Sequence, residues 1–162
     1  MAETRTLEPE EWELWDTWMR AHRLLVRELD RDLQREFGIS KAEFSVLTTL
    51  RRAPGGELRV GEFAESLGWE KSRVSHLLTR MEHRGFVERT RYGASGRRTG
   101  IGLTATGRRI AQRAIVGHAG NIRRYVLDSL TPEQAAVIRA WSEDLIDRIE
   151  PRDGEATGDG AA

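Results

Sequence analysis

The sequence predicts a mainly helical protein with one small β-hairpin, and three observations support this fold class. Apolar residues recur at helical spacing along most of the chain, whereas alternation typical of strands is confined to one short stretch. Gly, Pro and capping residues punctuate the helical stretches. The 162 residues, 38% of them hydrophobic and none of them Cys, suffice for about one domain with an apolar core and exclude thiol chemistry and Cys-bound metals.

The first predicted helix is long and carries apolar residues on two sides. Neither Gly nor Pro interrupts the chain between Pro9 and Phe37, and Gly38 ends the helix. One apolar row consists of Trp12, Trp15, Met19, Val26, Leu29, Leu33 and Phe37, and a second row consists of Leu14, Trp18, Ala21 and Leu25. A single small domain does not cover both rows, so we expect a partner chain to cover one of them.

Two shorter helices follow the first. Ser40 and Glu43 form a capping box at the start of the second helix, which ends at residues 53–56, an Ala-Pro-Gly-Gly sequence. Residues 58–59 form a brief extended segment, and a two-turn helix then ends at Gly68.

The fourth predicted helix runs from about Glu70 to Arg84 and has one clear inward side. Its apolar positions lie within an arc of roughly 100°, and they are Val74, Leu77, Leu78 and Met81. The outward side is polar and basic, with Ser72, Arg73, Ser75, His76, Thr79, Arg80 and His83.

A β-hairpin and two long helices complete the prediction. Residues 86–92 and 99–103 have strand character and flank a turn at 93–96. The fifth helix extends from Thr104 to about Leu127, and the face assigned to it consists of Ile110, Ala114, His118, Ile122 and Tyr125 or Val126. The sixth helix begins with a capping box formed by Thr131 and Gln134 around Pro132, and carries Val137, Ile138, Trp141, Leu145 and Ile149. The tail at 151–162 lacks apolar residues, which predicts disorder.

Positive charge is concentrated in the middle of the chain, although the net charge of the whole sequence is zero. Residues 69–113 contain 11 Lys and Arg against 3 Asp and Glu, whereas both ends of the chain are acidic. This segregation is typical of a nucleic-acid-binding segment within a larger fold. A solvated, charged helix face is the alternative interpretation.

The order of the predicted elements is that of a winged helix-turn-helix, in which two helices joined by a tight turn precede a β-hairpin. Hydroxyl and imidazole side chains on the fourth helix, beside Arg73 and Arg80, suit contacts to base edges and phosphates. The hairpin would reach the adjacent minor groove through Arg97 or Arg98. The sequence therefore predicts double-stranded DNA as the partner.

Two stretches are similar to the MarR (multiple antibiotic resistance regulator) family of transcription factors. They are LRVGEFAESLGWEKSRVSHLLTRMEHRGFVER at 58–89 and SGRRTGIGLTATG at 95–107, and the resemblance extends from about Trp12 to Ile149. It implies a homodimer that binds a pseudo-palindromic operator and acts as a ligand-responsive repressor. The implied division is a helical dimerisation region at 1–37 and 105–150 and a winged helix-turn-helix DNA-binding region at 38–104.

The resemblance also assigns functional residues. Carried over by position, the contacts to bases or DNA backbone are Ser72, Arg73, Ser75, His76 and Thr79, the minor-groove residue is Arg97, and Arg80 and Arg98 complete the predicted DNA-binding set. The predicted pocket for a small-molecule effector involves Trp15, His22 and His118. Two positions depart from the family pattern: Ser95 replaces the Asp that orients the wing arginine in many members, and Glu70 replaces a small polar helix cap.

Several alternatives compete with these assignments. Trp residues at helical spacing more often fill a dimer core, and a lone His on an apolar helix face is more often a hydrogen-bonded structural residue. The chain contains no Walker loop, Gly-x-Ser-x-Gly or His-Glu-x-x-His motif, so we expect neither an enzyme nor a metal or other cofactor. A winged-helix module that binds protein instead of DNA is the alternative function. Without an apolar run of membrane-spanning length or a basic-then-apolar leader, we expect a cytoplasmic protein.

Overall fold

The computed structural model describes residues 6–92 and 98–150, and within them it contains six α-helices and three β-strands. The helices are α1 (Pro9–Phe37), α2 (Lys41–Arg52), α3 (Val60–Leu67), α4 (Lys71–His83), α5 (Ala105–Tyr125) and α6 (Pro132–Ile149). The strands are β1 (Glu57–Leu58), β2 (Val87–Tyr92) and β3 (Arg98–Leu103). The mainly helical fold with a small hairpin is confirmed, whereas the predicted turn at 93–96 and the tail at 151–162 lie outside the described residues.

Capping signals set the helix boundaries. Gly38 adopts a left-handed conformation with φ 65°, and its N–H donates to the carbonyl oxygen of Gln34 at 2.9 Å, which ends α1 as predicted. The Ser40 hydroxyl accepts a hydrogen bond from the N–H of Glu43 at 3.2 Å, which opens α2. Both boundaries follow from local chemistry, so α1 and α2 meet at a defined junction.

The strands form one antiparallel sheet in the order β1-β3-β2. The β2–β3 register pairs Val87 with Leu103 and Tyr92 with Arg98, and the hairpin predicted from the sequence is confirmed. β1 pairs with β3 through Glu57 and Leu58, which adds a third strand. The sequence indicated only an extended segment there, because two residues are too few to show a periodicity.

The apolar core lies between α2, α3, α4 and the sheet. All four apolar positions predicted for the inner side of α4 are buried. The largest fully buried apolar side chains are Phe63, Leu33, Ile39, Leu47, Leu50, Leu78, Met81, Val46 and Val74. This packing fixes which side of α4 faces solvent.

α1 contributes little of its length to this core. Its only buried residues are Asp32 and Leu33, near the C-terminal end. At the other end, Trp12, Leu14 and Trp15 are 51%, 72% and 47% exposed. The second apolar row predicted from the sequence thus begins in solvent, at Leu14.

α5 packs through small residues, which differs from the face that the sequence indicated. Its buried residues are Gly107, Ala111, Ala114 and Asn121, so only Ala114 belongs to the predicted face. The reason is steric: a Cβ atom on Gly107 would lie 1.9 Å from the carbonyl oxygen of Phe86, and one on Gly117 would lie 2.3 Å from the ring of Phe37. Gly107 and Gly117 allow Phe86 and Phe37 to approach the backbone of α5 closely, and this close approach determines which side of α5 faces inward.

The described residues form two compact units, one ending at Ile122 and the other beginning at Arg123. In the second unit, Thr131 and Gln134 form the predicted capping box at the start of α6. None of the residues of α6 is buried, and its exposed apolar side chains include Val137, Ile138, Ile146 and Ile149. Over the described parts of the chain, no helix combines the length and apolar character that a membrane span requires.

Candidate nucleic-acid interface

The polar face of α4, defined as Ser72, Arg73, Ser75, His76, Thr79 and Arg80, is exposed along the whole helix. With 13 residues, α4 is about 20 Å long at 1.5 Å per residue, and an α-helix of this kind fits the major groove of DNA. The face offers hydroxyl, imidazole and guanidinium groups, which can donate to the acceptors that base edges and phosphates present.

Arg73 is oriented by an aromatic neighbour at the start of α4. Its guanidinium carbon lies 4.5 Å from the ring centroid of Trp69, a cation–π contact. Trp69 lies in the turn between α3 and α4, directly after Gly68, whose left-handed conformation (φ 63°) closes α3. The turn that joins the two helices therefore also restricts the side chain of Arg73.

The N-terminus of α4 keeps its donor groups available. Glu70 occupies the cap position in an extended conformation but makes no side-chain capping hydrogen bond. The first N–H groups of a helix are electropositive and suit a phosphate oxygen. The hydroxyl proton of Thr79, in contrast, is already used, because this hydroxyl donates to the carbonyl oxygen of Ser75 at 3.0 Å.

A cleft runs beside the polar face of α4. Its volume is about 410 Å³, and its lining consists of Ala42, Arg73, His76, Leu77 and Arg80. Three of the predicted DNA contacts therefore share one concave surface.

The hairpin side of the interface is described in part. Arg98 begins β3, opposite Tyr92, whereas Arg97 and Ser95 lie outside the described residues. On β2, the Nε atom of Arg89 donates to the Glu82 carboxylate at 3.1 Å. Arg89 is thus one of the 11 Lys and Arg residues at 69–113 whose charge is paired within the fold.

A second paired arginine, Arg84, was not predicted from the sequence. Its guanidinium donates to the carboxylate of Glu43 and to the carbonyl oxygen of Gly38, each at 2.6 Å. The partners lie 41 and 46 positions away in the chain. A capping role was predicted for Glu43, but no local pattern signals its ion pair with Arg84.

Away from α4, a cavity of about 290 Å³ lies between α1, α2 and α5. Its lining consists of Val26, Leu29, Asp30, Leu33, Lys41, Phe44, Ser45, Thr48 and His118. Of the three residues predicted for an effector pocket, His118 lines this cavity. Trp15 and His22 are not among its lining residues; both are exposed on α1, each beside Trp18.

His118 is held in an apolar setting. Its ring centroid lies 4.7 Å from that of Phe44, and its Nδ1 atom is buried without a hydrogen-bond partner among the described residues. Burial, together with the nearby charge of Lys41, holds the pKa of His118 below its ordinary value of 6.5. The folded protein therefore favours the neutral imidazole.

The replacement His118→Phe is expected to make the protein less sensitive to mild acid. The unfolded chain binds this proton at a higher pH than the folded one, so the free energy of unfolding falls as the pH drops from about 6.5 through the lower folded-state pKa. Phenylalanine removes the proton and retains a ring against Phe44. Urea unfolding at pH 7.5 and 5.5 measures the difference, and the exposed residue His22, replaced by Gln, is the control. Equal acid sensitivity of the wild type and His118→Phe would contradict the assignment.

The described residues contain no group of three or more His, Asp or Glu side chains arranged to hold a metal ion.

Comparisons with known proteins point to one family. The family model described as "MarR family" matches residues 37–98, which cover α2, α3, α4 and β2. A search of curated proteins gave no match.

Solved structures extend the similarity over nearly the whole chain. Sco3205, a MarR family transcriptional regulator from Streptomyces coelicolor solved in complex with DNA, is 31% identical, with a TM-score of 0.81 and coverage of 96% of this chain and 97% of that one. AbsC, another MarR family regulator from the same organism, is 29% identical, with a TM-score of 0.79 and coverage of 90% and 98%. A mutant of MarR from E. coli, at 19% identity, shares the fold with a TM-score of 0.66 and coverage of 88% and 99%.

Proposed function

Because the chain belongs to the MarR family of transcriptional regulators, we propose that it is a sequence-specific DNA-binding repressor that acts as a homodimer in the cytoplasm and responds to a small molecule. The observation that carries this proposal is the polar face of α4, which is exposed while the opposite side of the same helix is buried. Ser72, His76 and Arg73 would read base edges, and the N-terminus of α4 would bind phosphate.

The direct test is binding to the promoter upstream of the protein's own gene. Fluorescence anisotropy would compare this fragment with a scrambled fragment of equal length and composition, and footprinting would then locate the site. We expect tighter binding to the promoter and two half-sites about 10 base pairs, or a multiple of that, apart. Equal affinity for both fragments would favour the alternative function, a winged-helix module that binds protein.

Homodimer formation is supported by the exposed apolar residues of two helices. Leu14 and Trp12 on α1, and Val137 and Ile149 on α6, are between 51% and 72% exposed. On each of the two helices, several large apolar side chains are thus exposed to solvent, and large exposed apolar patches on a protein mark interaction sites. We propose that a second copy of the chain covers these side chains, with 1–37 and 105–150 forming the dimerisation region and 38–104 forming the DNA-binding region.

The replacement Leu14→Glu is expected to dissociate the dimer. It introduces a charge at a position that the proposal buries between two protomers, and a buried unpaired carboxylate costs several kcal/mol. Sedimentation equilibrium measures the change in molecular mass. Arg20→Glu introduces the same side chain on the polar side of α1 and is expected to leave the dimer intact. A dimer that survives Leu14→Glu would contradict the proposed interface.

Ligand response is supported by the cavity between α1, α2 and α5. Its volume of about 290 Å³ is near the lower limit for small-molecule sites. Val26, Leu29 and Phe44 give it apolar walls, and Lys41 and Ser45 supply donors for a small amphiphilic anion. The Asp30 carboxylate also lines the cavity and accepts a hydrogen bond from the N–H of Lys41 at 2.7 Å. A ligand releases DNA only if it binds the DNA-incompetent arrangement of the dimer more tightly than the competent one.

Filling the cavity is expected to abolish this response. In Thr48→Leu the added side chain occupies ligand space, and the lost hydroxyl leaves no buried group unpaired because it bonds only to carbonyls of its own helix, those of Phe44 and Ser45. Benzoate, as a small aromatic carboxylate, is the probe. We expect it to raise the thermal midpoint of the wild type and to weaken its promoter binding, with no effect on Thr48→Leu. Identical responses of the two proteins would place the ligand elsewhere.

A further inference from the structure

Three helix ends meet at one ion pair. Gly38 is the C-cap residue of α1, Ser40 is the N-cap residue of α2, and Arg84 is the C-cap residue of α4. The guanidinium of Arg84 donates from Nη1 to Glu43 Oε1 and from Nη2 to the carbonyl oxygen of Gly38, at 2.6 Å in both cases. One side chain of α4 is thereby connected to the end of α1 and the start of α2.

The carboxylate of Glu43 is held from two sides. Its side chain is 7% exposed, and its Oε2 atom accepts hydrogen bonds from the N–H of Ser40 at 2.8 Å and from the Ser40 hydroxyl at 3.2 Å. Burial alone raises the pKa of Glu43, but the hydrogen bonds from Ser40 and Arg84, together with the charge of Arg84, outweigh it and hold the pKa below 4.5. The acceptor for Arg84 therefore stays charged and in place.

The guanidinium is restrained on a third side. Its central carbon lies 4.5 Å from the ring centroid of Phe86, the residue that precedes β2. A planar guanidinium with two directed hydrogen bonds and one stacked face has little rotational freedom.

The ion pair of Arg84 and Glu43 lies beside a cleft. A cleft of about 460 Å³ lies between the C-terminal part of α4 and the α1–α2 junction, lined by Gln34, Gly38, Ile39, Ser40, Glu43, Arg80 and Arg84. Ile39, which lines this cleft, is fully buried in the same core as the inner side of α4, so apolar packing contributes to the angle between α4 and α1. Arg84 adds directed hydrogen bonds at this edge of the core.

We infer that Arg84 is a positioning residue for DNA binding, which sets the angle between α4 and α1 and thereby the distance between the two α4 helices of the dimer. The inference rests on the proposed function, because it requires two copies of α4 on one operator. If α1 is fixed in the dimer, a small rotation of α4 about the junction displaces its polar face in both protomers. Arg84 then determines which half-site spacing the protein accepts, without touching DNA.

The rival role for Arg84 is a direct phosphate contact, and the two roles differ in salt dependence. A lost phosphate contact lowers the slope of log affinity against log salt by about 0.9 for each contact. A lost positioning contact leaves the slope unchanged but weakens the preference for one half-site spacing. A purely structural role would lower the thermal midpoint and weaken binding to all spacings equally.

The test uses the full chain and the footprinted promoter site, together with versions in which one base pair is inserted or deleted between the half-sites. Two variants are needed: Arg84→Lys keeps the charge but cannot bridge Glu43 and Gly38 together, and Glu43→Gln keeps the cap of α2 but removes the ion pair. We expect both variants to reduce the discrimination between native and altered spacing by roughly threefold to thirtyfold, with an unchanged salt slope.

Arg89→Lys is the matched control. Arg89 is also paired, with Glu82, but this pair joins α4 to β2 and does not reach α1. We expect Arg89→Lys to keep the wild-type spacing preference. Wild-type spacing discrimination in both Arg84→Lys and Glu43→Gln, or a reduced salt slope in a third variant, Arg84→Gln, which removes the charge, would overturn the positioning role while leaving the proposed function intact. A wild type that does not prefer its promoter would overturn both.

Discussion

Replacement of Gly107 by Ala is expected to lower the free energy of unfolding by about 2 kcal/mol or more. The new Cβ atom would lie 1.9 Å from the carbonyl oxygen of Phe86 and 3.3 Å from Cδ2 of Leu103. The carbonyl group cannot move aside easily, because it accepts a hydrogen bond from the N–H of Thr104 at 3.2 Å. In an exposed helix interior the same substitution would stabilise by up to about 1 kcal/mol, so the steric effect decides the sign.

Gly120 provides the matched control within α5. A Cβ atom there would meet no atom within 4 Å, so Gly120→Ala should raise the free energy of unfolding by a fraction of a kcal/mol, up to about 1 kcal/mol. Urea unfolding of both variants, at one fixed protein concentration, measures the difference. If Gly107→Ala were as stable as the wild type, the close approach of α5 to the segment before β2 would be wrong.

The second large effect is expected for Arg73→Ala. We expect it to weaken promoter binding by about 1 to 3 kcal/mol for each protomer, which is roughly fivefold to 150-fold, because the guanidinium would lose its contact with a base edge. Arg73→Lys keeps the positive charge but loses the planar donor geometry and the stacking on Trp69. We therefore expect Arg73→Lys to bind scrambled DNA like the wild type and to lose most of the preference for the promoter.

Arg31→Ala is the control for this pair. It removes the same charge from α1, outside the basic segment, where Arg31 makes an exposed ion pair with Glu28 at 2.8 Å that contributes little stability. Anisotropy titrations of all variants on promoter and scrambled fragments provide the comparison. If Arg73→Ala bound the promoter like the wild type, the polar face of α4 would not be the DNA contact surface.

Local chemistry made much of this fold predictable. The bounds of α1 follow from Pro9 and Gly38, and the starts of α2 and α6 follow from the capping boxes at Ser40 and Thr131. The inner side of α4 follows from its narrow apolar arc. These features depend on residues a few positions apart, so a single sequence contains the information.

Features that depend on tertiary contacts were not predictable. The side of α5 that faces the core is determined by the backbone that approaches Gly107. Hydrophobic periodicity does not count glycine as an apolar residue, so the pattern predicted a different face. The pairing of β1 with β3 joins residues that are more than 40 positions apart. The ion pair of Arg84 with Glu43 likewise has no local signature. Arg84 is one of the basic residues at 69–113 whose number indicated DNA binding, yet its charge is paired within the protein.

The candidate site was likewise predictable where local sequence determines it and not where tertiary contacts determine it. The exposure of Ser72, Arg73, Ser75, His76, Thr79 and Arg80 follows from helical periodicity, so the sequence located the polar face of α4 correctly on the surface. For the predicted effector pocket, helical spacing placed His118 on a face of α5, but it did not show that Phe44 and Thr48 of α2 line a cavity beside it. Trp15 and His22 share α1 with Val26 and Leu29, and only the latter two line the cavity.

The salt dependence of promoter binding reports directly on whether the basic surface around α4 contacts DNA phosphates, because such contacts release counterions. Anisotropy titrations of the dimer between 50 and 200 mM salt should give a log affinity that falls linearly with log salt, with a slope of about −0.9 for each phosphate neutralised and a total of several units. A slope near zero would contradict the account.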